Sequence, residues 1–288
     1  MENGTCISEM LFSTSLVALV GAGEQPHFSS RKLQITNTKR NTTICELNYP
    51  TAIQAVKLNR KRMAVVLESH IHIYDVTNMK ILHSIQVQTG GVFAMSPSSD
   101  SCYIAYPTAQ QSGEVVLFDA VSLQSISITQ AHKSLVNSMA FNFDGSLLAT
   151  ASDKGTIIRV FSVPEMKKLY QFRRGTYPAN IISMNFNLQS NLLCVSASDT
   201  DTVHIFKLVE SKPSMIKSML PGMINEAWEP ARHFAYAKVP KAGSICAISN
   251  SLLYVVTSEG YFYHYSLNPE EGGECQVLKQ YNLADDEL

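Results

Sequence analysis

Charge is scarce in this 288-residue sequence: Asp, Glu, Lys and Arg make up 16% of it, and 23 basic against 24 acidic residues leave a formal net charge of −1. A molecule so nearly neutral has no overall field to draw nucleic acid or an acidic membrane, so any anion binding falls to a local patch. The basic residues form no long stripe, which disfavours nucleic-acid binding further. Paired cysteine motifs are missing as well. The six cysteines, Cys6, Cys45, Cys102, Cys194, Cys246 and Cys275, include no CxxC pair and no Cys/His spacing suited to zinc. Most sit in apolar runs and read as reduced, buried thiols of a cytosolic protein. No long apolar stretch is present: residues 10–22 are interrupted by Ser13, Thr14 and Ser15, lack a basic leader and are too short to span a bilayer, so the chain reads as soluble and intracellular. Nor is there a nucleophile elbow, a phosphate-cradling glycine loop or a metal cluster, which argues against an enzyme and against any cofactor. The acidic group Glu270, Glu271 and Glu274 lies on a glycine-rich connection and reads as a solvated turn.

What the sequence does have is apolar content of 45%, ample for a large core, and a repeat. Five segments alternate with period two and end on an aromatic: 71–75, 115–119, 158–162, 203–207 and 262–266. Their aromatics, Tyr74, Phe118, Phe161, Phe206 and Tyr265, are 44, 43, 45 and 59 residues apart. A weaker copy, 32–36, precedes them. Each is preceded by a second strand-like run (63–67, 102–106, 147–151, 192–196, 252–257) across a turn signal such as Ser152-Asp153-Lys154-Gly155. Four short strands per 40–45 residues is the period of a WD-type propeller blade, and no long stretch has helical periodicity. The expectation is an all-β, WD40-type β-propeller spanning residues 1–288 as one domain, with six clear blades. Residues 4–8 read as the stub of a further, first blade that is largely missing. The long spacing of 59 places extra sequence at 210–238, read as an insertion within the last full blade.

The run Phe172-Arg173-Arg174-Gly175 ends the outer strand of one blade. Adjacent strand residues point to opposite sides, so the two arginines can serve separate sites on the two flanking blades. A guanidinium fork matches phosphate oxygens in pairs and does not titrate. Both blades supply hydroxyls and imidazoles: His132, Lys133, Ser152, Lys154, Thr156 and Arg159 before the pair, Ser196, Ser198, Thr200, Thr202 and His204 after it. The plainer alternative is a solvated strand end among turn-forming Ser, Thr and Asp. His132 also fits a structural histidine opening a blade.

The runs 151–161, 172–175 and 202–207, with 11–20, 55–60 and 268–275, resemble the PROPPIN family, the WIPI-type autophagy propellers, over nearly the whole chain. The resemblance implies binding of phosphatidylinositol 3-phosphate and phosphatidylinositol 3,5-bisphosphate without catalysis. It implies one headgroup beside Arg173 with His132, Ser152, Thr156 and Arg159, and one beside Arg174 with Ser198, Thr202 and His204. It also implies recruitment of a cytoplasmic, monomeric protein to phagophore and endosomal membranes, and bridging to autophagy machinery such as lipid-transfer and conjugation components. A protein-interaction scaffold without direct lipid binding is the competing reading.

In the insertion, Met215, Ile216, Met219, Leu220 and Met223 fall at helical spacings among Lys212 and Lys217, with Trp228 nearby and Pro221 breaking any long helix. Two readings are open: a loop that packs on its own blade or stays disordered, and one suited to a bilayer interface. The resemblance implies the second, a membrane-inserting loop.

Overall fold

The computed structural model describes residues 4–23, 28–88, 90–109, 112–198, 200–209, 230–240 and 242–283. They form six sheets. The first holds β1 (Thr5–Met10), β2 (Leu16–Gly21), β3 (Lys32–Asn37) and β4 (Thr42–Asn48) in that order. The second holds β5 (Ala55–Leu58), β6 (Arg62–Val66), β7 (His70–Asp75) and β8 (Ile81–Gln86), and the third β9 (Ala94–Met95), β10 (Tyr103–Pro107), β11 (Glu114–Asp119) and β12 (Gln124–Gln130). The fourth holds β13 (Val136–Phe141), β14 (Leu147–Ser152), β15 (Ile157–Ser162) and β16 (Lys168–Arg173). In the fifth, β17 (Ile181–Phe186), β18 (Leu192–Ala197), β19 (Thr202–Lys207) and β20 (Ala235–Lys238) are joined by β24 (Gly273–Glu274). The sixth holds β21 (Ser244–Ser249), β22 (Leu252–Thr257), β23 (Tyr261–Ser266) and β25 (Gln276–Asn282). The chain divides into two compact units, residues 1–146 and 147–288.

Second strands such as β6 and β18 are buried on both faces, so their sequences are apolar without alternation. In β6, Met63 and Val65 pack with Ala18, Leu33 and Ile35 of the first sheet. Their neighbours Ala64 and Val66 pack on the other side with Ile104, Tyr106 and Phe118 of the third. In the second unit Cys194, Val203, Ile205, Ala235 and Ala237 form a similar core with Cys246, Leu253, Val255 and Tyr265. All six cysteines are free, and Cys102, Cys194, Cys246 and Cys275 are buried, as expected of apolar runs.

Outer strands differ. Each of β4, β8, β12, β16 and β25 carries a bulge at the same place against its inner neighbour, and the extra residue is aliphatic: Ile44, Leu82, Ile126, Leu169 and Leu278. A bulge bends and twists an exposed edge, which discourages pairing with another chain. The turn before the outer strand also repeats. Met79, Leu123, Met166 and Gly272 each have positive φ and each donates its N–H to the residue four before it, Asp75, Asp119, Ser162 and Asn268.

Three placements differ from expectation. Residues 5–8 are not a stub: they belong to β1 of the complete first sheet. The insertion falls in the fifth sheet, between β19 and β20, and a whole sixth sheet follows it. The Glu-Gly connection ends in β24, which pairs in parallel with β20. There Tyr236 Oη donates to Glu274 Oε2 (3.2 Å) and the Cys275 N–H to Tyr236 O (2.7 Å).

Candidate anion-binding site

Cross-strand partners and residues two apart share a face. Ile157 pairs with Arg173, and Arg159 pairs with both Gln171 and Thr150. Arg173, Arg159 and Ser152 therefore line one face of the fourth sheet. Arg173 is exposed. Arg159 is half-buried and donates from Nε to Gln171 Oε1 (2.9 Å), and burial lowers its pKa from the ordinary arginine value. Ser152 is buried, and Thr156 stands at the entry to β15 with its carbonyl accepting the Arg174 N–H (2.9 Å). Four of the five residues assigned to the first pocket thus meet on or beside one face. The fifth, His132, lies in the other compact unit, buried, with its N–H on Gly113 O (2.9 Å) and its carbonyl accepting from Gln130 Nε2.

Arg174 turns the other way and is buried. Its Nε donates to Gly155 O (2.7 Å) and its Nη2 to Tyr177 O. Gly155 makes this possible: it has φ +55°, and a Cβ there would collide with Ala179 O. Both acceptors are neutral carbonyls. Ion pairs such as Lys32–Glu46, Lys57–Glu9 and Arg62–Asp75 lie elsewhere, and among the described residues no carboxylate pairs with Arg173 or Arg174.

The field of Arg174 reaches His204 on β19. Burial first, then the neighbouring His233 and Arg174, push the His204 pKa down to about 4, against a smaller upward pull from Asp201. His204 Nδ1 lies 3.2 Å from His233 Nδ1. Thr202, two residues along, shares the His204 face, and register sets Tyr236 and Lys238 opposite the two of them. Thr202 Oγ1 donates to Asp201 Oδ1 (2.9 Å), while Ser198 Oγ accepts from the Asn180 N–H (3.2 Å) and holds the start of β17. The structure thus brings Arg174, His204 and Thr202 together and ties Ser198 to the backbone beside them.

Two basic residues were missed. Where the chain returns from the insertion, the Ala231 N–H donates to Gln171 O (3.1 Å) and its carbonyl accepts from the Arg173 N–H (2.8 Å), a parallel bridge on the edge of β16. That bridge delivers His233 to His204 on the Arg174 side, with Arg232 next to it in the chain. The His233 pKa is lowered by burial and by Arg232. The available signal was the basic doublet directly before β20. Met215, Ile216, Met219, Leu220 and Met223 lie outside the described residues.

Oriented guanidinium and imidazole groups can form a site for multiply charged anions. The family model described as PROPPIN matches residues 3–284. The chain belongs to the PROPPIN family. It is 43% identical over 352 aligned residues to autophagy-related protein 18 of Yarrowia lipolytica, covering 99% of this chain and 88% of that protein. Against the Mycosarcoma maydis protein of the same name it is 40% identical over 385 residues, covering 99% and 85%. Both alignments exceed the length of this chain, so these PROPPINs hold residues that it lacks. A solved complex of KlAtg21 with the coiled coil of AgAtg16 matches at TM-score 0.80 and 33% identity, over 96% of this chain and 84% of that one. Kluyveromyces lactis Hsv2 matches at TM-score 0.77 and 20% identity over 97% and 87%, a likeness of fold. The six sheets are accordingly blades of a WD40-type propeller, and the chain is a non-enzymatic, autophagy-related PROPPIN. Among the described residues no helix is long and apolar enough to cross a membrane.

Proposed function

We propose that this PROPPIN is a peripheral membrane protein that binds phosphatidylinositol 3-phosphate and phosphatidylinositol 3,5-bisphosphate. One headgroup sits beside Arg173 with Ser152, Thr156 and Arg159. The other sits beside Arg174 with Ser198, Thr202 and His204, helped by Arg232 and His233. Residues 1–288 act as one propeller domain, and the part of 210–238 that precedes β20 forms its membrane-facing loop, with Met215, Ile216, Met219, Leu220 and Met223 entering the bilayer. The observation that carries this reading is the pair of adjacent guanidinium groups, one exposed and one buried, on opposite sides of one strand end and without a carboxylate partner among the described residues. The protein acts as an effector on phagophore and endosomal membranes. A protein-scaffold role is compatible with this, because the similar KlAtg21 was solved with a coiled coil of AgAtg16. For this chain we propose contacts with autophagy conjugation or lipid-transfer components.

Cosedimentation with vesicles containing phosphatidylinositol 3-phosphate tests the lipid reading. The double variant Arg173→Gln, Arg174→Gln should bind no better than the native chain binds vesicles lacking the lipid. Undiminished binding by a folded double variant defeats the assignment and leaves the scaffold reading.

A further inference from the structure

We infer that Tyr177 is an interfacial anchor: a rigidly presented aromatic that enters the headgroup layer of the bilayer between the two proposed phosphoinositide sites. This rests on the lipid-binding reading and adds to it a contact with the membrane itself.

Tyr177 is 83% exposed, more than any other large apolar side chain among the described residues. Single exposed apolar residues are ordinary on protein surfaces, so exposure alone carries little. The loop that presents it carries more. Residues 175–180 read Gly-Thr-Tyr-Pro-Ala-Asn, without a charge, directly after two arginines. The loop is held at both ends: the Tyr177 carbonyl accepts from Arg174 Nη2, and the Ala179 N–H donates to Lys154 O (3.1 Å). Pro178 fixes the backbone immediately after the tyrosine. The ring therefore projects from a braced support and meets no aromatic or cationic partner among the described residues, while Thr176 and Pro178 beside it are exposed too.

The chemistry suits the outer edge of a bilayer. A phenol has an apolar body and a polar tip, which favours the depth of lipid headgroups over either water or the hydrocarbon core. Position selects that occupant over a protein groove. The guanidinium that holds the Tyr177 carbonyl is the one proposed to face a headgroup, so a lipid engaged at Arg174 sets the membrane plane within a side chain's length of the ring. Anchoring there also needs no loop ordering on binding, since the loop is already fixed.

The test uses the full chain, with vesicles of phosphatidylcholine and phosphatidylserine containing phosphatidylinositol 3-phosphate, and with soluble inositol 1,3-bisphosphate in parallel. Tyr177→Ser should weaken vesicle binding about tenfold and leave affinity for the soluble headgroup unchanged. Tyr177→Phe should retain most of the vesicle binding. In a Trp228→Phe background, which removes the single native tryptophan, Tyr177→Trp should give fluorescence that brominated lipids quench once vesicles are bound. Unchanged vesicle affinity of Tyr177→Ser overturns the anchor, as does an equal loss for the soluble headgroup or an unquenched indole. If the native chain binds neither vesicles nor soluble headgroup, the lipid reading itself fails and the anchor falls with it. If the native chain binds and Tyr177→Ser binds equally well, only the anchor falls.

Discussion

His204 is a base kept neutral by its surroundings. Its pKa is near 4 in the folded chain, against an ordinary value of 6.5, because burial, His233 and Arg174 all oppose a further positive charge. A depressed histidine pKa has two consequences of opposite sign. Between about 6.5 and 4 the unfolded chain takes up a proton that the folded chain refuses, so stability contributed by this group is present above pH 6.5 and is lost as the pH falls through that window. A bound phosphate dianion reverses the local balance and favours imidazolium. Proton uptake on binding then makes affinity rise as the pH falls. The headgroup phosphate titrates in the same region and works against this, so the informative quantity is the ratio of native to His204→Gln affinity. Calorimetry with inositol 1,3-bisphosphate should show that ratio growing severalfold from pH 7.5 to 5.5. A constant ratio removes His204 from the site. Period-two alternation separates Arg174 from Arg173, and the grouping of Thr202 and His204 with Arg174 came from the family resemblance. Neither gave an account of Arg232 and His233, which reach the site by a bridge to β16 from beyond the insertion rather than by a place in the repeat.

The turn between β14 and β15 holds much of the site in position. Gly155 supplies three things there: a left-handed backbone, room for Ala179 O, and the carbonyl that fixes Arg174. Gly260, in the turn between β22 and β23, shares only the first, with φ +84° and nothing within 4 Å of an added Cβ. The two sites separate backbone strain from collision. Gly260→Ala should cost about 1 kcal/mol, the strain of a left-handed alanine, and Gly155→Ala more than about 2 kcal/mol. Urea unfolding reads both, and equal costs would mean that the loop from Ala179 yields freely. Elements of this kind were largely legible. The doubly covered strands such as β6 and β18 announce themselves as short apolar runs, and the hairpins by their Asp, Gly and Asn. The bulges on the outer strands were not legible, because Ile44, Leu82, Ile126, Leu169 and Leu278 look like ordinary members of an alternating strand until the register shifts past them. The short β24 was hidden for a related reason. A two-residue strand pairing in parallel with β20 has no periodicity to detect.

At the scale of the whole molecule the net charge of −1 matters most. Long-range attraction cannot hold such a chain on an acidic surface, so binding has to come from several weak local contacts acting together. The two proposed headgroup sites would make the second capture intramolecular, and its strength would then depend on how densely the lipid is supplied. Arg173 is the side chain to remove in order to see this. It is exposed and holds no other described residue through its guanidinium, whereas Arg174 also fixes Gly155 and Tyr177. Vesicle binding of the native chain should therefore rise more steeply than in proportion to the mole fraction of phosphatidylinositol 3-phosphate. Arg173→Gln should bind in simple proportion to it and fall furthest behind, by roughly 10²-fold, at high lipid density. At very low density two lipids rarely lie within reach of one molecule, and the two curves should converge to within about a factor of two, the loss of one of two equivalent sites. A constant ratio between the curves at every density would mean that the two arginines grip a single headgroup, and the two-site geometry would have to be abandoned.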